Sequence, residues 1–140
     1  MIDYVCMTIL CMYTYNTYIL HTSLTIIQYD QAVKAGGMIY VSGCIGVHPE
    51  TRALVEGGIA AQTRQVLENL KNIIESAGSD LSNVCKCTVL LAGMEYFAEV
   101  NAIYAEYFPT NPPARATFAV LGLPANALVE IEAICIAKSN

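Results

Sequence analysis

The chain is poor in charge. Only 14 % of its 140 residues are Asp, Glu, Lys or Arg, and 7 basic residues against 12 acidic ones leave a net charge of −5. The basic stripe expected of a protein that grips a nucleic acid backbone is missing. Long apolar runs are missing too. After residue 24 none approaches the roughly 20 residues that a spanning helix needs. The two histidines, His21 and His48, stand in no Ser-His or Cys-His arrangement, and Gly36-Gly37 and Gly57-Gly58 lack the spacing of a phosphate-binding loop. No internal repeat, linker or low-complexity segment interrupts the chain. These absences leave a single domain with no ready-made nucleotide or hydrolase-triad signature.

What is present is apolar. Hydrophobic residues make up 55 % of the chain and the mean hydropathy is +0.45, which is high for a monomer. Without a spanning run, the reading is a subunit that buries much of its surface against copies of itself. The six cysteines, Cys6, Cys11, Cys44, Cys85, Cys87 and Cys135, lie partly inside strand-like runs. They read as reduced core thiols of a cytoplasmic protein rather than as a disulfide scaffold. Alternation puts Cys85 and Cys87 on one strand face. A metal site from Cys85, Cys87, His21 and His48 has no recognisable ligand spacing, so no metal is expected.

Residues 2–20 are apolar but lack a basic leading region and a small-residue cleavage site, so a secretory signal is not expected. Their Tyr, Thr, Ile and Val content favours β-structure. Residues 17–22 read as a first strand of a single domain over 17–140, with 1–16 as an extension, either an added strand or a tail over a sheet edge. Residues 31–35 and 38–44, joined by Gly36-Gly37, read as a hairpin. The stretch 47–57 reads as a polar loop with His48 exposed. Between 58 and 77 the period becomes helical, with Ile59, Val66, Leu67, Leu70, Ile73, Ile74 and Ala77 in one stripe and Gly78 as the stop. Residues 83–92 read as a strand. Phe97, Val100, Tyr104, Tyr107 and Phe108 mark a second amphipathic helix that ends before Pro109. Strands 114–120 and 128–137 close the chain. This order predicts an α+β fold: a mixed sheet with two helices on one face and neighbouring subunits on the other.

The chemistry centres on Arg115, set in the apolar run Pro112-Pro113-Ala114-Arg115-Ala116-Thr117-Phe118. A buried guanidinium needs an anion or several acceptors, and its planar fork matches a carboxylate bidentately. Alternation places Thr117 on the same face as Arg115, and Glu130 and Glu132 on one face of the last strand beside Leu128 and Ile134. A Glu in such company works as an acid or base near neutral pH unless it is paired. The residues leave two options open: Arg115 pairs with Glu130 or Glu132 as a structural ion pair, or it receives a ligand's carboxylate. Cys44 reads as a buried thiol that an electrophile in a nearby pocket could reach.

From about Tyr29 to Lys138 the chain resembles the Rid family of reactive intermediate (enamine/imine) deaminases, also called the YjgF or L-PSP family. The blocks that carry the likeness are Tyr29-Asp30-Gln31-Ala32-Val33, Ile39-Tyr40-Val41-Ser42-Gly43-Cys44-Ile45-Gly46 and the helix over 62–77. Further on come Val84-Cys85-Lys86-Cys87-Thr88-Val89, Phe97-Ala98-Glu99-Val100-Asn101, Pro113-Ala114-Arg115 and Val129-Glu130-Ile131-Glu132-Ala133. The resemblance implies a chorismate-mutase-like fold of the bacillar type, a homotrimer with sites in the clefts between subunits, and cofactor-free hydrolysis of 2-imino acids such as 2-iminopropanoate and 2-iminobutanoate. On that analogy Arg115 binds the substrate carboxylate with backbone N–H groups near Gly43, and Glu130 activates water. Tyr29, from the adjoining subunit, completes the catalytic set with Arg115 and Glu130, and Ser42, Gly43, Cys44, Asn101 and Thr117 bind the substrate. Departures from the family pattern are Ile27-Gln28 for Gly-Pro, Asp30 for a small or apolar residue, Cys44 for Gln, and Leu121 for a smaller or basic residue. Two other classes stay in view: a trimer that holds small carboxylates without turnover, and an endoribonuclease or translation inhibitor.

Overall fold

The computed structural model describes Asp3–Val5 and residues 30–138. The strand expected over 17–22 and the boundary at residue 16 lie outside the described residues. A six-stranded sheet runs in the order β1 (Asp3–Val5), β2 (Ala32–Ala35), β3 (Met38–Ile45), β6 (Val129–Ile136), β4 (Val84–Leu91), β5 (Ala114–Ala119). Every pair is antiparallel except β4 with β5. Gly36 and Gly37 both have positive φ, 58° and 77°, the geometry a two-residue hairpin between β2 and β3 demands.

Helix α1 (Gly58–Ser76) buries Ile59, Gln62, Thr63, Val66, Leu67, Leu70, Ile73 and Ile74, the apolar stripe the sequence predicts with two polar members added. It packs on β3, β6 and α2 (Phe97–Tyr107). Inward residues of β6, Val129, Ile131, Ala133 and Cys135, are all buried beneath it. Polar side chains fasten this layer at its ends. Gln62 Oε1 accepts from the Leu128 N–H at 2.8 Å, Asn69 Nδ2 donates to the Ile45 and Val47 carbonyls at 3.2 and 2.9 Å, and Ser79 Oγ donates to the Ile136 carbonyl at 2.6 Å. These bonds tie side chains of the helical layer and its exit to backbone groups at the strand ends. Between the helices, Arg64 forks onto Glu106 at 2.5 and 2.9 Å.

Three expectations need correcting. Cys85 and Cys87 do not share a face: the β4–β6 register shifts between Val84 and Lys86, so Cys85 is exposed while Cys87 is fully buried. A β-bulge of this kind resets the alternation by one residue. In α2 the buried stripe is Val100, Ile103 and Tyr104, and Phe97, at the first turn, stays 38 % exposed. His48 is half-buried rather than exposed, its Nδ1 accepting from the Glu50 N–H at 3.2 Å. Cys44, Cys85, Cys87 and Cys135 are all free thiols.

Leu70, at 0 % exposure in the centre of α1, carries the helix–sheet contact. Leu70→Ala should cost about 2–5 kcal/mol, read as a lower denaturant midpoint at unchanged slope. A loss below about 1 kcal/mol, less than cavity formation at such a site produces, would contradict this packing.

Candidate functional site: two half-sites on opposite faces

Arg115 sits on β5 opposite the buried Cys87 of β4, and Thr117 opposite the buried Val89. Both side chains therefore leave the sheet on the helix side. There α2 meets the guanidinium: Arg115 Nη2 donates to Asn101 Oδ1 at 2.7 Å. The Arg115 Cζ lies 4.7 Å from the Tyr104 ring centroid and 5.8 Å from that of Phe97. Phe97, Asn101 and Tyr104 are spaced i, i+4, i+7, one flank of a helix. Beside Arg115 opens a cavity of about 390 Å³ lined by Asn101, Tyr104, Ala105, Phe108, Pro112 and Pro113. Arg115 itself is exposed, so the argument from the cost of a buried charge does not apply to it within one chain. Its fork is held by one acceptor and two rings.

The second group of residues lies elsewhere. Between Val41 and Cys44 the β3–β6 register shifts, and the extra residue sets Gly43 directly over Glu130. A methyl group on Gly43 would overlap Glu130 Oε1, so only glycine admits the carboxylate there. Ser42 Oγ donates to the Asp30 carbonyl at 2.7 Å and its N–H to the Gln31 carbonyl at 2.9 Å, which fixes the bulge against the start of β2. The Cys44 thiol points inward, 8 % exposed, and donates to the Ser42 carbonyl at 3.5 Å. Burial, and after it the Glu130 carboxylate, push that thiol up to about 12. It stays protonated at neutral pH, as a buried thiol does. Burial first, and the Glu132 carboxylate second, raise the Glu130 carboxyl above its ordinary value.

Glu130 and Glu132 alternate with the buried residues of β6 and thus face away from the helices, in register with Leu90 and Thr88 of β4. Within one chain Arg115 and Glu130 stand on opposite sides of the sheet. Among the described residues the ion pairs are Arg64–Glu106 and Lys138–Asp80, so the internal pairing of Arg115 with Glu130 or Glu132 is not formed. The structure brings Arg115, Asn101 and Thr117 together, and separately Ser42, Gly43, Cys44 and Glu130. Tyr29 lies outside the described residues. Among the described residues no group of three or more His, Cys, Asp and Glu could hold a metal ion. No helix there is long and apolar enough to cross a membrane. Sequence reasoning missed Tyr104 as a partner of Arg115, because a Tyr in an amphipathic stripe reads as core. It missed Gln62, which anchors the chain two residues before Glu130, because nothing in its spacing separates it from a solvated helix position.

Known proteins share this architecture. A family model described as Endoribonuclease L-PSP matches residues 21–137. A RutC family protein of Sulfurisphaera tokodaii is 50 % identical over 107 residues, which span 76 % of this chain and 86 % of that protein. The 2-iminobutanoate/2-iminopropanoate deaminase of Homo sapiens is 47 % identical over 108 residues, 77 % of this chain and 79 % of that one. The crystal structure of yeast Mmf1 matches with a TM-score of 0.83 at 36 % identity, covering 99 % of this chain and 100 % of the yeast chain. The chain belongs to the endoribonuclease L-PSP family, the group whose members also carry the names Rid and YjgF.

The raised Glu130 carboxyl has a signed consequence. Its native state keeps the proton to higher pH than the unfolded chain does, so the group favours folding below the unfolded value and loses that contribution as pH rises through the folded one. Glu130→Gln should therefore match the wild type near about pH 4, the unfolded carboxyl range, and become the more stable of the two as pH rises. Thermal midpoints measured across that range check this. A gap that narrows with rising pH contradicts the assignment.

Proposed function

We propose that the chain is a hydrolase of 2-imino acids whose working site is shared by two copies, Arg115, Asn101 and Thr117 coming from one and Ser42, Gly43, Cys44 and Glu130 from the next. The observation that carries this reading is the placement of the two half-sites on opposite faces of one sheet. One guanidinium and one carboxylate can meet across a substrate only if the open face of one copy meets the β5–α2 edge of another. Such a contact joins two different surfaces, so repetition gives a closed ring or an open filament rather than a two-fold pair. A homotrimer, the form the family resemblance implies, is the small ring that fits. Three exposed side chains support a covered open face: Tyr40 at 45 %, Phe118 at 55 % and Ile136 at 48 %. They share the side of Glu130 by alternation along β3, β5 and β6.

In that site the Arg115 fork receives the substrate carboxylate, with the backbone N–H groups at Gly43 as further donors. Glu130 takes a proton from water as the oxygen adds to the imine carbon. That proton passes to nitrogen to give a carbinolamine; Glu130 then takes the hydroxyl proton and returns it to nitrogen as the C–N bond breaks, so that a 2-oxo acid and ammonia leave. The demand is modest because an imine is already electrophilic, so orientation and one general base suffice. A base raised toward the working pH by burial is the stronger for it. Tyr29 belongs to this proposal through the family pattern. The names carried by the human relative and by the Arabidopsis protein, Reactive Intermediate Deaminase A, support the same chemistry.

The family model's description supports a second reading, cleavage of RNA. The net charge of −5 opposes it, since phosphate backbones are held by clustered Lys and Arg.

Coupling the protein to a serine or threonine dehydratase and following oxo-acid release tests the proposal. Wild-type protein should speed release, Arg115→Ala should abolish the effect, and Glu130→Gln should lower kcat by about 10²- to 10⁴-fold. Full activity in Arg115→Ala sinks it. Carboxylate binding without any turnover selects the non-catalytic trimer instead, and RNA cleavage that survives purification but vanishes in Arg115→Ala selects the ribonuclease. Light scattering on the same samples should give three times the 15.2 kDa subunit mass.

A further inference from the structure

The Tyr104 ring is wedged between two partners. On one side Phe108 lies 4.6 Å away between centroids, at an interplanar angle of 35°. On the other lies the Arg115 guanidinium. Only 4 % of Tyr104 is exposed, and its hydroxyl is buried near the Cys87 thiol without a hydrogen bond of ordinary geometry among the described residues. A buried hydroxyl without a partner is a cost that phenylalanine would avoid, so the contribution of this residue lies in its ring. An electron-rich face beneath a guanidinium attracts it and restrains its rotation. Asn101, three residues earlier on α2, takes one Nη2 hydrogen, and Phe97 closes the far flank. Arg115 is thus gripped on its face and at one corner; it lines the cavity, and among the described residues its guanidinium makes no other hydrogen bond.

We propose that Tyr104 is a positioning residue for carboxylate recognition: its ring, with Asn101 and Phe97, holds the Arg115 guanidinium as a pre-formed fork before any ligand arrives. This rests on the reading of Arg115 as the carboxylate anchor. A long side chain left free on an edge strand would lose rotamer freedom on binding, and a fork fixed in advance avoids that loss. Because the carboxylate is held alike in substrate and transition state, the effect falls on KM rather than kcat.

The experiment is a titration of 2-oxobutanoate, by calorimetry, into the assembled wild type, Tyr104→Leu, Tyr104→Phe, Phe97→Leu and Arg115→Ala, each checked for unchanged assembly mass and for a cooperative melting transition above the assay temperature. Loss of the ring in Tyr104→Leu should weaken binding by about tenfold and raise KM in step, with kcat within about twofold. Tyr104→Phe keeps the ring and should rescue binding, with an equal or higher melting temperature because the orphan hydroxyl is gone. Phe97→Leu, at the partly exposed flank, should weaken binding by about two- to threefold, and it carries the test if Tyr104→Leu does not assemble. Wild-type binding in Tyr104→Leu, or in Phe97→Leu if that variant stands alone, overturns the proposal. So does a loss in Tyr104→Phe equal to that in Tyr104→Leu, which would place the function in the hydroxyl. If Arg115→Ala loses binding while the ring variants do not, only the positioning role falls. If Arg115→Ala binds as the wild type does, the anchor reading falls with it.

Discussion

Strand β6 is paired along both edges, to β3 on one side and β4 on the other, and its side-chain period of two divides the molecule. One set of positions, Val129, Ile131, Ala133 and Cys135, is apolar and closes under α1. The alternating set carries Glu130 and Glu132 outward. A slip of one residue would bury two carboxylates and expose the core set, a cost far beyond the net stability of a domain. The register is therefore strongly specified, and it is the register that puts Glu130 beneath Gly43 on the open face. The polar anchors at the strand ends, Gln62 on Leu128 and Ser79 on Ile136, hold the same ladder from the helix side.

Irregularities then turn this regular frame into a site. The shift in β3 creates room for the Glu130 carboxylate under a residue without a side chain. The shift in β4 turns Cys85 to solvent and returns Cys87 to the core, opposite Arg115. Helix α2 supplies what the sheet cannot: an amide acceptor and two rings at a spacing that matches one exposed guanidinium. Within one chain the two groups stay on opposite faces of the sheet, and the exposed Tyr40, Phe118 and Ile136 lie on the face of Glu130.

Much of this was legible in the sequence. The Gly36-Gly37 hairpin, the α1 stripe and the last two strands follow from period and turn chemistry, and Arg115 and Glu130 announce themselves as charges in apolar runs. Alternation also grouped Arg115 with Thr117 correctly. What it could not supply was the relation between strands. Whether Arg115 faces Glu130 depends on which side the helices take and on two bulges, and a bulge leaves no periodic trace around Cys85 or Ser42. Ile103 displaced Phe97 from the buried stripe of α2 because the first turn lies beside β5, where Arg115 occupies the space that core packing would otherwise claim. The resemblance to a known family, carried by blocks along the chain, named both groups of residues without needing that relation.

Among the described residues the order of strands also places β5 at the rim, paired on one side only. Unsatisfied strand margins recruit stray polypeptide, and proteins blunt them with prolines and fixed positive charge. Pro112 and Pro113 lead into β5, and Arg115 follows within its first two residues. The segment that carries the candidate anion anchor is thereby also guarded against fibre-like strand addition, and a variant that trades Arg115 for an apolar residue surrenders part of that protection.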